Sequence, residues 1–330
     1  MELIRGLHNL RARHRGCVAT IGNYDGLHLG HQRVLRNLRD RARDRGVPAV
    51  VVVFEPTPLE FFRPDQAPPR LMRLREKLQA LAACGVDRVL CLRFDRALAD
   101  MEPEDFIDRV LIDGLGVQHL VVGDDFRFGH RRRGDFEMLC RAGVAQGFEV
   151  ARMETCEIDG ERVSSSRVRA ALAAGRLEEA ARLLGRPYTM SGRVRSGRRL
   201  GRDLGYPTAN IALHRLRSPV SGILVVAVDG VRPDGPASGV ASLGTRPTVE
   251  AGGEVLLEVF LLDHEGDLYG RHLDVAFLHY LRAEERFDDL ETLRERIARD
   301  VEQACQWLER NGLPPGACRA ISLNGTGRSG

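Results

Sequence analysis

Gly22-Asn23-Tyr24-Asp25-Gly26-Leu27-His28-Leu29-Gly30-His31 is the stretch that decides how the first half of this chain folds. It follows a short apolar run, Cys17-Val18-Ala19-Thr20-Ile21, and leads into Val34, Leu35, Leu38 and Ala42 at helical spacing. Strand, tight turn and helix is the expected order, with two glycines and an Asn/Asp pair supplying the turn. Ala49 to Phe54 is then a continuous β-branched run, as expected of a strand buried on both faces. Arg75–Ala83 reads as helix, Arg88–Leu92 as strand, Pro103–Ile112 as helix and His119–Val122 as strand. Such alternation predicts an α/β domain with a parallel sheet and helices on both sides. Ligands on such sheets bind beyond the carboxyl ends of the strands.

His28 and His31 are three residues apart and are expected on one face of the first helical turn. Unpaired amides and the helix dipole favour a phosphate there. Two imidazoles can donate to phosphate oxygens as charge develops in a displacement at phosphorus. Gly22, Asn23, Asp25 and Gly26 shape the turn, and Gly30 leaves room for a nucleotide. A helix start with two surface histidines is the plainer alternative. Zinc is disfavoured, because the spacing is not i,i+4 and no third ligand is evident. Downstream, Ser164-Ser165-Ser166-Arg167 opens another helix, with serine as cap and Arg167 suited to an anion. Phe126 and Phe128 alternate with Asp125 and Arg127 just past a strand. They offer either a stacking surface for a planar ligand or a turn with core phenylalanines.

The character changes near Gly185-Arg186-Pro187. Before it, Val168 to Leu184 reads as helix; after it, helical patterning is lost until about residue 283. Ile223–Val228, Glu254–Leu262 and Leu273–Leu281 read as strands separated by glycine-bearing turns, which predicts a small β-barrel. A terminal amphipathic helix carries Phe287, Leu290, Leu293, Ile297, Val301, Cys305 and Leu308. Residues 312–330 are polar and glycine-rich and are expected to be a disordered tail. Within the barrel region, the basic run from Gly192 to Gly201 can bring backbone amides to phosphates without a lysine. Thr208 and Asn210 are hard oxygen donors two residues apart, on one side of an extended segment, and suit one Mg²⁺. Glu258 is a lone carboxylate in an apolar strand and is a candidate general base, or simply a solvent-facing residue.

Composition narrows the classes. The chain has 330 residues, 43% hydrophobic and 29% charged, which favours two domains. No apolar run approaches the ~20 residues needed to span a bilayer, and no signal region follows the N-terminus, so a cytoplasmic protein with no membrane partner is expected. Seven cysteines without a Cys-x-x-Cys pair argue against disulfides and zinc. Net charge is +3, too mild to demand a nucleic acid. Lys77 is the only lysine, so no Gly-Lys phosphate loop exists, and ATP chemistry must use histidine, arginine, backbone amides and metal.

Together these stretches resemble a known family. His-x-Gly-His with a downstream serine-arginine run is shared by the nucleotidyltransferase superfamily. The fuller match, over about residues 14–310, is to the prokaryotic bifunctional riboflavin kinase/FAD synthetases. It rests on Gly22–His31, Phe54-Glu55-Pro56-Thr57-Pro58, Val122–Gly129, Val163–Arg169, Pro207-Thr208-Ala209-Asn210, Gly244–Thr248, Glu258 and Asp267–Gly270. The resemblance implies a Rossmann-like nucleotidyltransferase domain over 1–185 and a riboflavin kinase barrel with a terminal helix over 186–311. It implies ATP and Mg²⁺, with riboflavin, FMN and FAD as substrates and products. It implies His28, His31, Arg167 and Glu258 in catalysis. Gly22, Asn23, Asp25, Gly26, Gly30, Ser164, Ser165, Ser166, Gly192 and Gly201 would line nucleotide. Phe54, Pro56, Asp125, Phe126, Arg127 and Phe128 would line flavin, and Thr208 and Asn210 would hold the metal. A weak homo-oligomer is compatible with it. The chain departs from the family pattern at Phe260, where relatives often carry His, at Ile223-Leu224, where an aromatic is usual, and in the basic Arg195–Arg199 loop. Those departures keep an enzyme restricted to the adenylyl step in view, and the arginine clusters a flavin-binding regulator.

Overall fold

The computed structural model describes residues 1–123, 125–196, 205–245, 255–262, 264 and 266–313. Contacts divide them into two compact units. The first is Met1–Pro68 with Met72–Val163; the second runs from Ser164 and includes Pro69–Leu71.

The first unit is built on a six-stranded parallel sheet. Its strands are β1 (Glu2–Arg5), β2 (Cys17–Ile21), β3 (Ala49–Glu55), β4 (Arg88–Arg93), β5 (Val117–Val122) and β6 (Glu149–Arg152), in the order β1-β4-β3-β2-β5-β6. The continuous apolar run of β3 is explained by cores on both faces. Val50, Val52 and Phe54 enter one core, and Ala49, Val51 and Val53 the other. Each fully buried valine contributes roughly 1.5–3 kcal/mol. Helix α1 (Leu29–Arg45) covers the second core with Val34, Leu35, Leu38 and Ala42, and ends at Gly46, whose φ of 65° is the left-handed cap that favours glycine. A short helix α2 (Pro58–Phe62) follows β3, and α3 (Leu74–Ala83) shares the second core through Ala80 and Leu81. The expected helix over 103–112 begins as α-helix, α5 (Pro103–Phe106) after the short α4 (Arg96–Ala99), and continues as a wider π-turn over Ile107–Ile112. With α6 (Phe136–Gln146) it seals the first core. A small hairpin, β7 (Glu157–Ile158) and β8 (Glu161–Arg162), completes the unit.

The second unit opens with two helices rather than the single run expected over 168–184. They are α7 (Ser165–Ala173) and α8 (Leu177–Leu184), broken at Gly175, whose φ is 71°. A closed antiparallel barrel follows, made of β9 (Tyr188–Arg195), β10 (Thr208–Ala212), β11 (Gly222–Arg232), β12 (Gly235–Thr245), β13 (Val255–Leu261) and β14 (His272–Arg282), in the order β10-β13-β12-β11-β14-β9. Alternation along β13 buries Val255, Leu257, Val259 and Leu261 and leaves Leu256, Glu258 and Phe260 half-exposed. The terminal helix α9 (Leu290–Arg310) starts at the Asp289 cap and lays Ala304 and Leu308 against Val225, Val240 and Leu278 on the barrel's outer face. Strands β9 and β12 carry too many glycine, serine and arginine residues to announce themselves in sequence. Of the tail expected over residues 312–330, Gly312 and Leu313 instead cap α9, their amides donating to the Glu309 and Leu308 carbonyls, and residues 314–330 lie outside the described residues. Among those described, Cys17, Cys84, Cys91, Cys140, Cys156 and Cys305 are free thiols.

Candidate active sites

The turn after β2 is held open by backbone geometry that L-residues resist. Tyr24 and Leu27 have φ of 47° and 42°, and Gly26 has 85°. Such conformations persist only where surrounding structure enforces them. Here Tyr24 is buried, its hydroxyl 2.7 Å from Thr20 Oγ1, and burial pushes its phenol far above the ordinary tyrosine range. Asp25 is also buried and accepts the Met72 amide at 2.9 Å. Asn23 is exposed.

This strained turn delivers the two histidines. His28 is not in the helix, as the spacing suggested, but is its N-cap, accepting the His31 amide at 3.4 Å through Nδ1. The rings nevertheless stack, with centroids 3.7 Å apart and planes 19° apart. The Tyr24 ring also approaches His31, with centroids 4.8 Å apart and planes tilted by 45°. Gly30 is required by space: a Cβ would lie 3.2 Å from the His28 ring. Burial, and then the positive fields of His28, Lys77 and Arg162, hold His31 well below the ordinary histidine range. Its Nδ1 is shut from solvent without a hydrogen bond. Sequence reading noted Lys77 only as the sole lysine, without a site role, and did not single out Arg162. One sits mid-helix and the other in a short hairpin, and only folding brings their charges to bear on His31.

Phe54 is the penultimate residue of β3, two positions before Pro56, and its ring meets Phe94 edge-on at 5.8 Å. Phe61 and Phe62 of α2 join Phe94 at 5.5 and 5.7 Å, and Phe62 is 58% exposed. This aromatic cluster lies at a strand's carboxyl end; of its members only Phe54 was expected at the flavin, and Phe61, Phe62 and Phe94 were missed in the sequence. Phe126 and Phe128 stack on each other at 5.6 Å rather than presenting two separate faces. Phe128 belongs to the core, while Phe126 is partly exposed above it. Asp125 is exposed with Arg162 Nη1 3.9 Å away, and Arg127 points to Asp135 at 3.8 Å. Asp124 lies outside the described residues.

In the second unit, Ser164 caps α7 by accepting the Arg167 amide at 3.2 Å, and Ser165 and Ser166 form its first turn. Arg167 Nε lies 3.7 Å from Glu179, while Arg169 donates to the Pro69 carbonyl at 2.8 Å. On the barrel, register places Asn210 directly opposite Glu258 and Thr208 opposite Phe260. Paired residues share a sheet face, so Thr208, Asn210, Glu258 and Phe260 stand together on the outer face. Ser242 of β12 flanks Glu258 on the other side. Tyr206 meets Phe260 edge-on at 5.3 Å. Gly192 serves packing: a Cβ there would strike the Ala212 carbonyl of the neighbouring strand. Gly201 and residues 246–248 lie outside the described residues. No cluster of three or more His, Cys, Asp or Glu side chains able to hold a metal occurs among the described residues. Two neutral hard oxygens beside one carboxylate instead fit a Mg²⁺ that arrives with nucleotide phosphates and keeps water ligands.

Comparisons agree with both units. A family model described as FAD synthetase matches residues 10–167, and one described as riboflavin kinase matches residues 184–308. The bifunctional riboflavin kinase/FMN adenylyltransferase of Pseudomonas fluorescens is 55% identical over 304 residues, 92% of this chain and 97% of that protein. Its Escherichia coli K12 counterpart is 52% identical over 301 residues, 91% of this chain and 96% of that protein. A solved structure from Streptococcus pneumoniae, titled a macrolide-efflux protein, superposes with a TM-score of 0.79 at 29% identity, covering 94% of this chain and 99% of that one. With both family models matched in order and identity above half across nearly the whole length of such relatives, the chain belongs to the bifunctional riboflavin kinase/FMN adenylyltransferase family.

Proposed function

We infer that this chain phosphorylates riboflavin to FMN with ATP and then transfers AMP from a second ATP to FMN, giving FAD and pyrophosphate. The observation that carries this reading is the presence of both matched domains in one chain, each with its own polar constellation. We place the functional boundary near residue 185, at the start of the riboflavin kinase match.

In the kinase step, Glu258 takes the proton of riboflavin's terminal hydroxyl. The oxygen attacks the γ-phosphorus and the bond to the bridging oxygen breaks, releasing ADP. Thr208 and Asn210 would hold Mg²⁺, which would supply neutralisation of phosphate charge. Support comes from the pairing of Asn210 with Glu258, which sets acceptor and metal donors side by side.

In the adenylyl step, an FMN phosphate oxygen attacks the α-phosphorus of ATP and pyrophosphate leaves. His28 and His31 donate to phosphate oxygens as charge builds. His31 is neutral at working pH, since burial and positive neighbours hold it so. A neutral imidazole still offers one N–H. The Phe54, Phe61, Phe62 and Phe94 cluster, with Phe126, supplies apolar surface for the isoalloxazine ring. Ser164–Ser166 and Arg167 are assigned to the nucleotide phosphates.

We place the enzyme in the cytoplasm; no described helix is long and apolar enough to cross a membrane. The test is to mix purified protein with riboflavin, ATP and Mg²⁺ and to separate flavins over time. FMN followed by FAD is expected. FAD from supplied FMN, but no FMN from riboflavin, would leave only the adenylyl step. No FAD from supplied FMN would remove the histidine-site assignment.

A further inference from the structure

Thr208 opens β10 and is held by the sheet from one side only. It pairs with Phe260 of β13. On the other edge, β9 meets β10 only over Asn210–Ala212 among the described residues. Strand ends of this kind are where local opening begins. A metal donor placed there needs a further hold.

Phe260 is better anchored. It is paired on both sides, with Thr208 and with Val240 of β12. Val240 is buried under α9 together with Ala304 and Leu308. The Phe260 ring, half-exposed on the outer face, meets the Tyr206 ring edge-on, with centroids 5.3 Å apart and planes 79° apart. That is a favoured geometry for two aromatic rings. Only Pro207 separates Tyr206 from Thr208. Proline fixes its own φ and confines the residue before it to extended conformations. Tyr206-Pro207 is therefore a stiff link, and fixing the Tyr206 ring also fixes how the chain enters β10.

We propose that Phe260 is a positioning residue of the kinase step, which through the Tyr206 ring holds the Thr208 hydroxyl where it meets the metal-nucleotide. The proposal rests on the reading of Thr208 as a metal donor. It also gives a use to a side chain at which the sequence departs from the family pattern.

The experiment is a double-mutant cycle in the full chain: Phe260→Ala, Tyr206→Ala and both together. FMN plus FAD formed from riboflavin is measured at varied MgATP. Each single variant is expected to raise KM for MgATP about two- to tenfold, the worth of one aromatic pair, with kcat and KM for riboflavin changed less than about twofold. The double variant should be no worse than either single one, because the two rings act as one unit. Tyr206→Phe keeps the edge contact and should stay close to wild type. A second readout needs neither metal nor nucleotide. Hydrogen exchange followed by mass spectrometry should show residues 206–210 exchanging faster in Phe260→Ala, with β11 and β14 unchanged. Wild-type KM for MgATP in Phe260→Ala would overturn the proposal. So would a double variant in which the two increases multiply, since that marks independent contacts. Faster exchange throughout the barrel would mark a purely structural role and overturn it too. Should Phe260→Ala melt the barrel, Tyr206→Ala lies outside every described strand and must give the same rise in KM. Thr208→Ala separates the two layers: if it leaves KM for MgATP unchanged, the metal reading itself fails, whereas a rise there without one in Phe260→Ala removes only the positioning role.

Discussion

Asn210 and Glu258 face each other across the β10–β13 ladder, so the expected metal donor and the expected base are neighbours although 48 positions apart in the chain. Their proximity makes two different losses separable. Glu258→Gln is expected to lower kcat for FMN formation by about 10²–10⁴, the usual span for removing a general base. Asn210→Ala is expected to raise KM for MgATP more than it lowers kcat. Steady-state kinetics on riboflavin check both, with FAD formation from FMN unchanged in each variant.

The stacked His28 and His31 rings should control only the other step. His28→Ala removes the α1 cap as well as a donor to phosphate, and is expected to cut adenylyl transfer by about 10²–10³. Gly30→Ala is expected to act in the same direction by crowding the His28 ring. FMN production from riboflavin should persist in both. Loss of both steps together would point to a folding defect instead.

His119 gives a pH dependence whose sign follows from its burial. Its Nδ1 lies 2.9 Å from Glu149, yet burial outweighs that carboxylate and holds its pKa below the ordinary value of 6.5. His31 is lowered for the same first reason. Below pH 6.5 the unfolded chain therefore takes up protons that the native chain refuses, and stability falls as pH falls. Urea unfolding of wild type and His119→Gln between pH 8 and 5.5 checks this. The variant should lose less stability over that interval.

Asp300 is nearly inaccessible and neutralises Arg282 beneath the α9–barrel contact. Asp300→Ala strands that guanidinium and is expected to cost about 3–5 kcal/mol. Thermal melts followed by circular dichroism should show the barrel transition shifted down, with FAD formation from FMN retained below that transition.

Sequence by itself determined the class of both units. Alternation of apolar strands with helical faces is a local signal, and β3 carried it through Val50–Val53, buried on both faces because two cores need them. It also marked His28, His31, Thr208, Asn210 and Glu258, since chemistry restricts which residue types suit phosphate, metal and proton transfer. Tertiary structure alone decided what each could touch. Strand register, a long-range hydrogen-bonding outcome, paired Asn210 with Glu258 and put Ser242 at its other side. The strained turn at Tyr24–Leu27 made His28 a cap rather than a helical residue, and still stacked it on His31. Packing sent Phe128 to the core while Phe126 stayed above it, a choice their identical side chains could not reveal.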